Sequence, residues 1–205
     1  MKEYYQSIAG PSTGHLREKG SRFLSFAYPV KDEEEIKIQL NALKREYFDA
    51  THHCYAWMLG VEGEQYRAFD DGEPGHSAGD PILGQLRSRN LTHVLVVVVR
   101  YYGGTNLGVS GLIKAYRGAA ALALDAAVTM TIAVRIKWRL TFDYASLPEV
   151  MKFAKGTGIG ILDKNIGENC ELIVETPPSV DPELKFSDPS MIGIHVTCER
   201  LTDGR

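Results

Sequence analysis

VVVVRYYGGTNLGVSGLIKAY, residues 96–116, joins a run of valines to paired tyrosines, two adjacent glycines, a further glycine step and a segment with helical spacing. The valines lie within THVLVVVVR, which is apolar at odd and even positions alike, as in a strand covered on both faces. Beyond the glycines, Leu112, Tyr116, Ala119 and Ala123 share one stripe of a helix expected from Ser110 to about Ala127. Lys114 and Arg117 share another stripe, one turn apart. Strand, glycine turn and helix in this order predict a sheet with helices packed on it.

Upstream, RFLSFAYPV over Arg22–Val30 reads as a strand, and DEEEIKIQLNALKREYF as a helix with Asp32 as N-cap and Glu35 three residues on. THHCYAWMLG and QYRAFDD read as a hairpin, and PILGQLRSRN as a short helix with Asp80 as its cap and Pro81 in its first turn. The pattern changes between Ala127 and Thr131. In AVRIKWRLTF, Val134, Ile136, Trp138, Leu140 and Phe142 alternate with polar residues, which predicts a strand with one buried and one solvated face. SLPEVMKFAKG repeats the capping logic with Ser146, Pro148 and Glu149. Two strands joined through Gly167, Glu168 and Asn169, and a last strand in MIGIHVTCERL, complete a βαβ-type unit. Four prolines between Pro177 and Ser190 leave room there for a short helix at most. The expected architecture is α+β in two domains, residues 1–130 and 131–205.

The chain has 205 residues, a net charge of −3 and an ordinary apolar content. It therefore lacks the overall basic profile of a dedicated nucleic-acid binder. The amino terminus has no apolar core of a secretory signal, and no stretch is long enough to span a membrane, so a cytoplasmic location is expected. Cys54, Cys170 and Cys198 have no metal-type spacing and read as small buried residues. Trp57 and Trp138, on strand-like stretches, read as core.

Charge is unevenly placed. Six acids face Arg67 alone between Glu62 and Asp80, whereas residues 81–124 carry Arg87, Arg89, Arg100, Lys114 and Arg117 without an acid. A glycine turn before a helix presents free backbone N–H groups and a positive dipole end to an anion. Gly103 and Gly108 have P-loop spacing and Ser110 falls at the hydroxyl position, but Val109 stands where the lysine is needed, so an ordinary nucleotide loop is not expected. Arg100, Tyr101, Tyr102, Gly103, Gly104, Lys114 and Arg117 form the candidate anion or nucleic-acid site: cations for phosphate, glycines for close approach, tyrosine for stacking. Alternatively, the glycines serve turn geometry and the tyrosines rim the core. In FDDGEPGHSAGDP, Asp70, Asp71 and Glu73 form a second candidate site for acid–base or Mg²⁺ chemistry, which His52 or His53 on the preceding strand could join; successive strand residues face opposite ways, so at most one of the two points there, and His53 is taken. The other reading of this loop is an acidic turn that caps the following helix or pairs with the nearby arginines. No catalytic residue, cofactor or metal-ligand spacing is identified.

Taken together, HHCYAWMLG, DDGEPGHSAGDPIL and VVVRYYGGTNLGVSGLIKAY resemble the signature of the IMPACT family, bacterial YigZ-like branch. That resemblance implies a first domain like the second domain of a small-subunit ribosomal protein and a second, ferredoxin-like domain similar to a late domain of elongation factor G. It also implies a link to translational control, with RNA or the ribosome as partner. Two other functions stay open at this point: a phosphoester or small-molecule enzyme using the acidic loop, and a protein-interaction module docking through the carboxy-terminal sheet.

Overall fold

The computed structural model describes residues 2–167, 169–191 and 193–201. It divides into two compact units, one covering Tyr5–Ile132 and the other running from Ala133 onward together with the first residues up to Tyr4. Strands and helices of both kinds fill each unit, in keeping with the α+β class.

In the first unit a five-stranded sheet has the order β2(Ser12–Glu18), β3(Ser21–Pro29), β6(Val94–Tyr101), β4(His52–Leu59), β5(Gln65–Phe69). All neighbours are antiparallel. The valine strand β6 is central, and its residues Val94–Val99 are fully buried. Alternation divides the strand between two cores. Val94, Val96 and Val98 pack with Cys54, Ala56 and Met58 against α2(Gly79–Ser88) and α3(Gly108–Asp125). Leu95, Val97 and Val99 pack with Tyr55, Trp57 and Leu59 against α1(Glu33–Glu46). Helices on both faces explain why the strand is apolar throughout.

The starts of α1 and α2 are set by carboxylates. Asp32 accepts the N–H groups of Glu34 and Glu35, both at 2.9 Å, and the Glu35 carboxylate takes the Lys31 N–H one residue ahead of the cap. Helix α2 starts earlier than expected and is not capped by Asp80. Instead Asp70, from the preceding loop, accepts Ala78 N–H at 2.9 Å and Gly79 N–H at 2.8 Å through Oδ1, and His76 N–H at 2.8 Å through Oδ2. Helix α3 begins at Gly108, two residues before the expected start. Two strands the sequence did not announce, β1(Tyr4–Ile8) and β7(Thr129–Ala133), pair as a two-stranded ribbon.

In the second unit β8(Ile136–Phe142), α4(Leu147–Ala154), β9(Gly160–Asn165), β10(Cys170–Thr176), α5(Pro182–Phe186) and β11(Val196–Leu201) follow in β-α-β-β-α-β order. The sheet order is β11-β8-β10-β9. Ile136, Trp138, Leu140 and Phe142 fill the core with Val150, Ala154, Leu172 and Val174. On the other face Arg139 lies 2.8 Å from Glu199 and 3.4 Å from Glu171. Asp143, through a short 3-10 turn, rather than Ser146, introduces α4, and the Ser146 hydroxyl accepts His195 N–H. Of the connecting turn expected between β9 and β10, Glu168 lies outside the described residues, as does Ile192 ahead of β11. Trp57 and Trp138 are core residues, Cys54 and Cys170 are buried, and Cys198 is half-buried.

Candidate functional site

The chemistry-bearing side chains meet where β4, β6 and the acidic loop converge on α3. Register sets their directions: His52 lies opposite Arg100, and His53 opposite Val99. His52 and Arg100 therefore point to the α2/α3 side, and His53 to the α1 side.

Arg100 is the centre of the cluster and is 4% exposed. Its Nη1 donates to Glu73 Oε1 at 2.5 Å and its Nη2 to Ser21 Oγ at 3.3 Å. Glu73, 8% exposed, also accepts the Tyr116 hydroxyl at 2.6 Å and has His52 Nε2 at 3.8 Å. Burial, reinforced by Cys54 and Glu73, pushes the Tyr116 hydroxyl far above its ordinary range, so it keeps its proton and donates it to the carboxylate. The Cys54 thiol, 3.3 Å from that hydroxyl and 3.0 Å from Asp70 O, is likewise pushed up, first by burial. It is a packed thiol and not a nucleophile.

The acidic loop is therefore committed to structure. Asp70 caps α2. Burial opposes its ionisation, but the N–H groups of Gly79, His76 and Ala78 outweigh burial and hold its carboxyl below the usual carboxylate range. Asp71 Oδ2 accepts His53 N–H at 2.7 Å, and Asp71 O takes His52 Nδ1 at 2.8 Å, which fixes the proton on that nitrogen because a carbonyl can only accept. The sequence grouped His53 with these acids. Only its backbone touches them, while its ring is buried on the opposite face and burial lowers its pKa. His52 is the histidine at the site. Among the described residues no cluster of His, Cys, Asp and Glu has the makings of a metal site.

The anion-site residues also separate. Arg100, expected to reach phosphate, is buried in the pair with Glu73. Gly103 is packed against the backbone of Gly20 and Ser21 and donates its N–H to Ser21 Oγ at 3.2 Å, so its missing side chain serves the β2–β3 turn and not a ligand. Gly104 has φ +83° with open space around it. Tyr101 donates to Asp49 at 2.7 Å and carries the Arg22 guanidinium 4.5 Å above its ring. Tyr102 points the other way and is 47% exposed, with the Arg100 guanidinium 5.6 Å from its ring centre. Lys114 and Arg117 stand exposed on α3, with no hydrogen bond or ion pair to the described residues.

Two hollows flank the start of α3. One, about 420 Å³, is bounded by His52, Glu73, Arg100, Tyr102, Asn106 and the first turn of the helix. The other, about 500 Å³, lies between α2 and α3 beside Arg117, His76 and Asp80. Sequence reasoning offered His52 and His53 as alternatives and took His53, and it missed Asn106. Neither face of β4 is polar enough to tell which histidine turns inward, and Asn106 stands in a loop without periodicity.

A family model for the Impact N-terminal domain matches residues 19–124. IMPACT family member YigZ of Escherichia coli (strain K12) is 37% identical over 141 residues, covering 68% of this chain and 69% of its own. An IMPACT family member of Haemophilus influenzae is 33% identical over 158 residues, covering 76% of this chain and 77% of its own. Among solved structures, one described as a crystal structure of an hypothetical protein aligns with TM-score 0.73 and 30% identity over 96% of this chain and 97% of its own.

Proposed function

The chain belongs to the IMPACT family, and from that premise we propose that it is an RNA- or ribosome-associated binding protein linked to translation. On this reading residues 1–130 form the IMPACT-type domain, and residues 131–205 a ferredoxin-like domain similar to a late domain of elongation factor G.

The observation that carries the proposal is the exposed, unpaired cation pair Lys114 and Arg117 on α3, set in a stretch without acids from residue 81 to residue 124. Of the other cations in that stretch, Arg89 is paired with Asp125 at 2.6 Å, Arg87 lies over Tyr66, and Arg100 is buried with Glu73. Lys114 and Arg117 are therefore the two positioned to meet phosphate. Tyr102 supplies an exposed ring near the start of the same helix, and aromatic stacking tolerates any base. The phosphoester-enzyme reading is weaker, because both oxygens of Asp70 and Oδ2 of Asp71 already accept backbone N–H groups.

Fluorescence anisotropy with a labelled oligoribonucleotide, and co-sedimentation with ribosomes, test the proposal. Lys114→Ala/Arg117→Ala is expected to weaken both at least tenfold while leaving the fold intact. Unchanged binding by that variant contradicts it.

A further inference from the structure

The β2–β3 hairpin turns three cations, Arg17, Lys19 and Arg22, toward solvent. Gly14 lies against Leu122 and Ala123 of α3, and Leu16 packs on the core beneath that helix. The residues between and beyond them in an extended strand face the other way, so His15 and Arg17 look out on the α1 side. Register agrees: Arg17 lies opposite Arg22, which lies opposite Tyr101, and His15 lies opposite Leu24. Leu24 and Tyr101 are the partly buried margin of the core under α1, and beyond that margin the edge strand β2 leaves Thr13, His15 and Arg17 exposed.

Two features of the hairpin work against its own stability, and both place cations. Arg17 and Arg22 are like charges directly opposite on neighbouring strands, which repel. The two-residue turn between Glu18 and Ser21 has φ +44° at Lys19 and +83° at Gly20. Such a turn prefers asparagine or glycine at its first position, and a lysine there is strained. Among the described residues no hydrogen bond or ion pair offsets these charges. Glu18 shares the α3 face with Gly14 and Leu16, and Asp49, at the other end of the row, accepts the Tyr101 hydroxyl. The Arg22 guanidinium lies 4.5 Å above the Tyr101 ring. A guanidinium held over a ring is already oriented, and its N–H groups stay available to phosphate.

We infer that this face is a second RNA-contact surface, on which Arg17, Lys19 and Arg22 take the phosphates of a single strand that passes over the edge of the sheet from Lys114 and Arg117. The edge strand alone separates the two groups of cations. Gly118, one turn beyond Lys114, meets Leu16 on one side of β2, and Arg17 stands on the other. A duplex is stiff over lengths far beyond this hairpin, whereas a single strand can track a groove around one strand's edge. The inference rests on the RNA-binding reading and extends it from one helix to both faces of the sheet, with a preference for single strands.

The full chain is titrated with a labelled oligoribonucleotide of about 12 residues, as a single strand and as a duplex, at several salt concentrations. Wild type is expected to bind the single strand at least tenfold more tightly. Arg17→Ala/Arg22→Ala should weaken the single strand at least tenfold, make its salt slope shallower by about 1.4 and remove most of the preference over duplex. Lys19→Asn keeps the turn and relieves its strain, so the melting temperature should rise while RNA affinity falls severalfold, a combination that a purely structural turn does not give. Wild-type affinity in both variants, or equal affinity of wild type for single strand and duplex, overturns the inference. RNA binding that in either case still needs Lys114 and Arg117 leaves the proposed function standing. Binding that needs Arg17 and Arg22 but survives Lys114→Ala/Arg117→Ala upholds this face and contradicts the proposed α3 site, so the two fail separately. Phosphatidylserine vesicles bound through Arg17 and Arg22, with RNA affinity unchanged by their loss, assign the face to a membrane and overturn the inference.

Discussion

Glu73→Gln is the substitution that tests most sharply whether the acidic loop is structural. The side chain keeps its shape, and its amide oxygen still accepts from Tyr116 and Arg100, which bonded Glu73 Oε1 at 2.6 and 2.5 Å. What is lost is the negative charge that balances a guanidinium only 4% exposed. Removing one partner of a buried ion pair costs about 3–5 kcal/mol, because the remaining charge stays out of water without compensation. The retained hydrogen bonds place this variant near the lower end, at about 3 kcal/mol. For a unit of this size each kcal/mol lowers the melting temperature by about 4 °C, so a fall of about 12 °C is expected. Urea denaturation followed by circular dichroism measures the first quantity and a thermal scan the second. Glu73→Leu/Arg100→Met, which removes both charges and leaves apolar volume, should recover most of the loss. A Glu73→Gln protein within about 1 kcal/mol of wild type would refute the buried pair as the anchor of this loop.

Three further outcomes follow from the same geometry. Gly103→Ala drives a methyl group into the backbone of Gly20 and Ser21 and should destabilise by more than about 3 kcal/mol, whereas Gly104→Ala meets open space and only its positive φ, at about 1 kcal/mol. Parallel denaturation curves compare them. Under native conditions a thiol reagent should modify Cys198, half-buried with its pKa pushed up to about 11, faster than Cys54, and mass spectrometry of the labelled chain reads the order. His53 and His93 both have pKa values lowered by burial. A lowered folded-state pKa means that the unfolded chain binds more protons below its own value of about 6.5, so their stabilisation is complete above that pH and is lost as pH falls through the folded-state values. The melting temperature should therefore decline below pH 6.5, and less so in His53→Leu.

Much of the fold was legible because periodicity reports burial directly. The valine strand, apolar on both faces, the α3 stripe of Leu112, Tyr116, Ala119 and Ala123 and the alternation of β8 each showed which faces would be covered. Strands β1, β2 and β7 were not legible: β1 and β2 carry no apolar alternation, and β7 is only five residues long and mostly exposed. The site was harder for a different reason. Charge in sequence marks where cations lie along the chain, not which of them a distant acid has claimed. Arg100 looked like part of a cationic surface because Glu73 stands 27 residues earlier and reaches it only through the β4–β6 pairing. Asp70 likewise caps a helix starting nine residues later, across a turn in which Asp71, Gly72 and His76 have positive φ. Alternation along β4 allowed only one of His52 and His53 to face the site, but with both faces of the strand apolar nothing in the sequence chose between them.

The central claim concerns the free cations on α3, and the salt dependence of RNA affinity tests it most directly. Each phosphate contact to a single strand contributes about 0.7 to the slope of log affinity against log salt concentration. Wild type should show a clear negative slope, and Lys114→Ala/Arg117→Ala a slope shallower by about 1.4, with unchanged stability. Equal slopes for the two proteins, or RNA binding indifferent to salt, would contradict it.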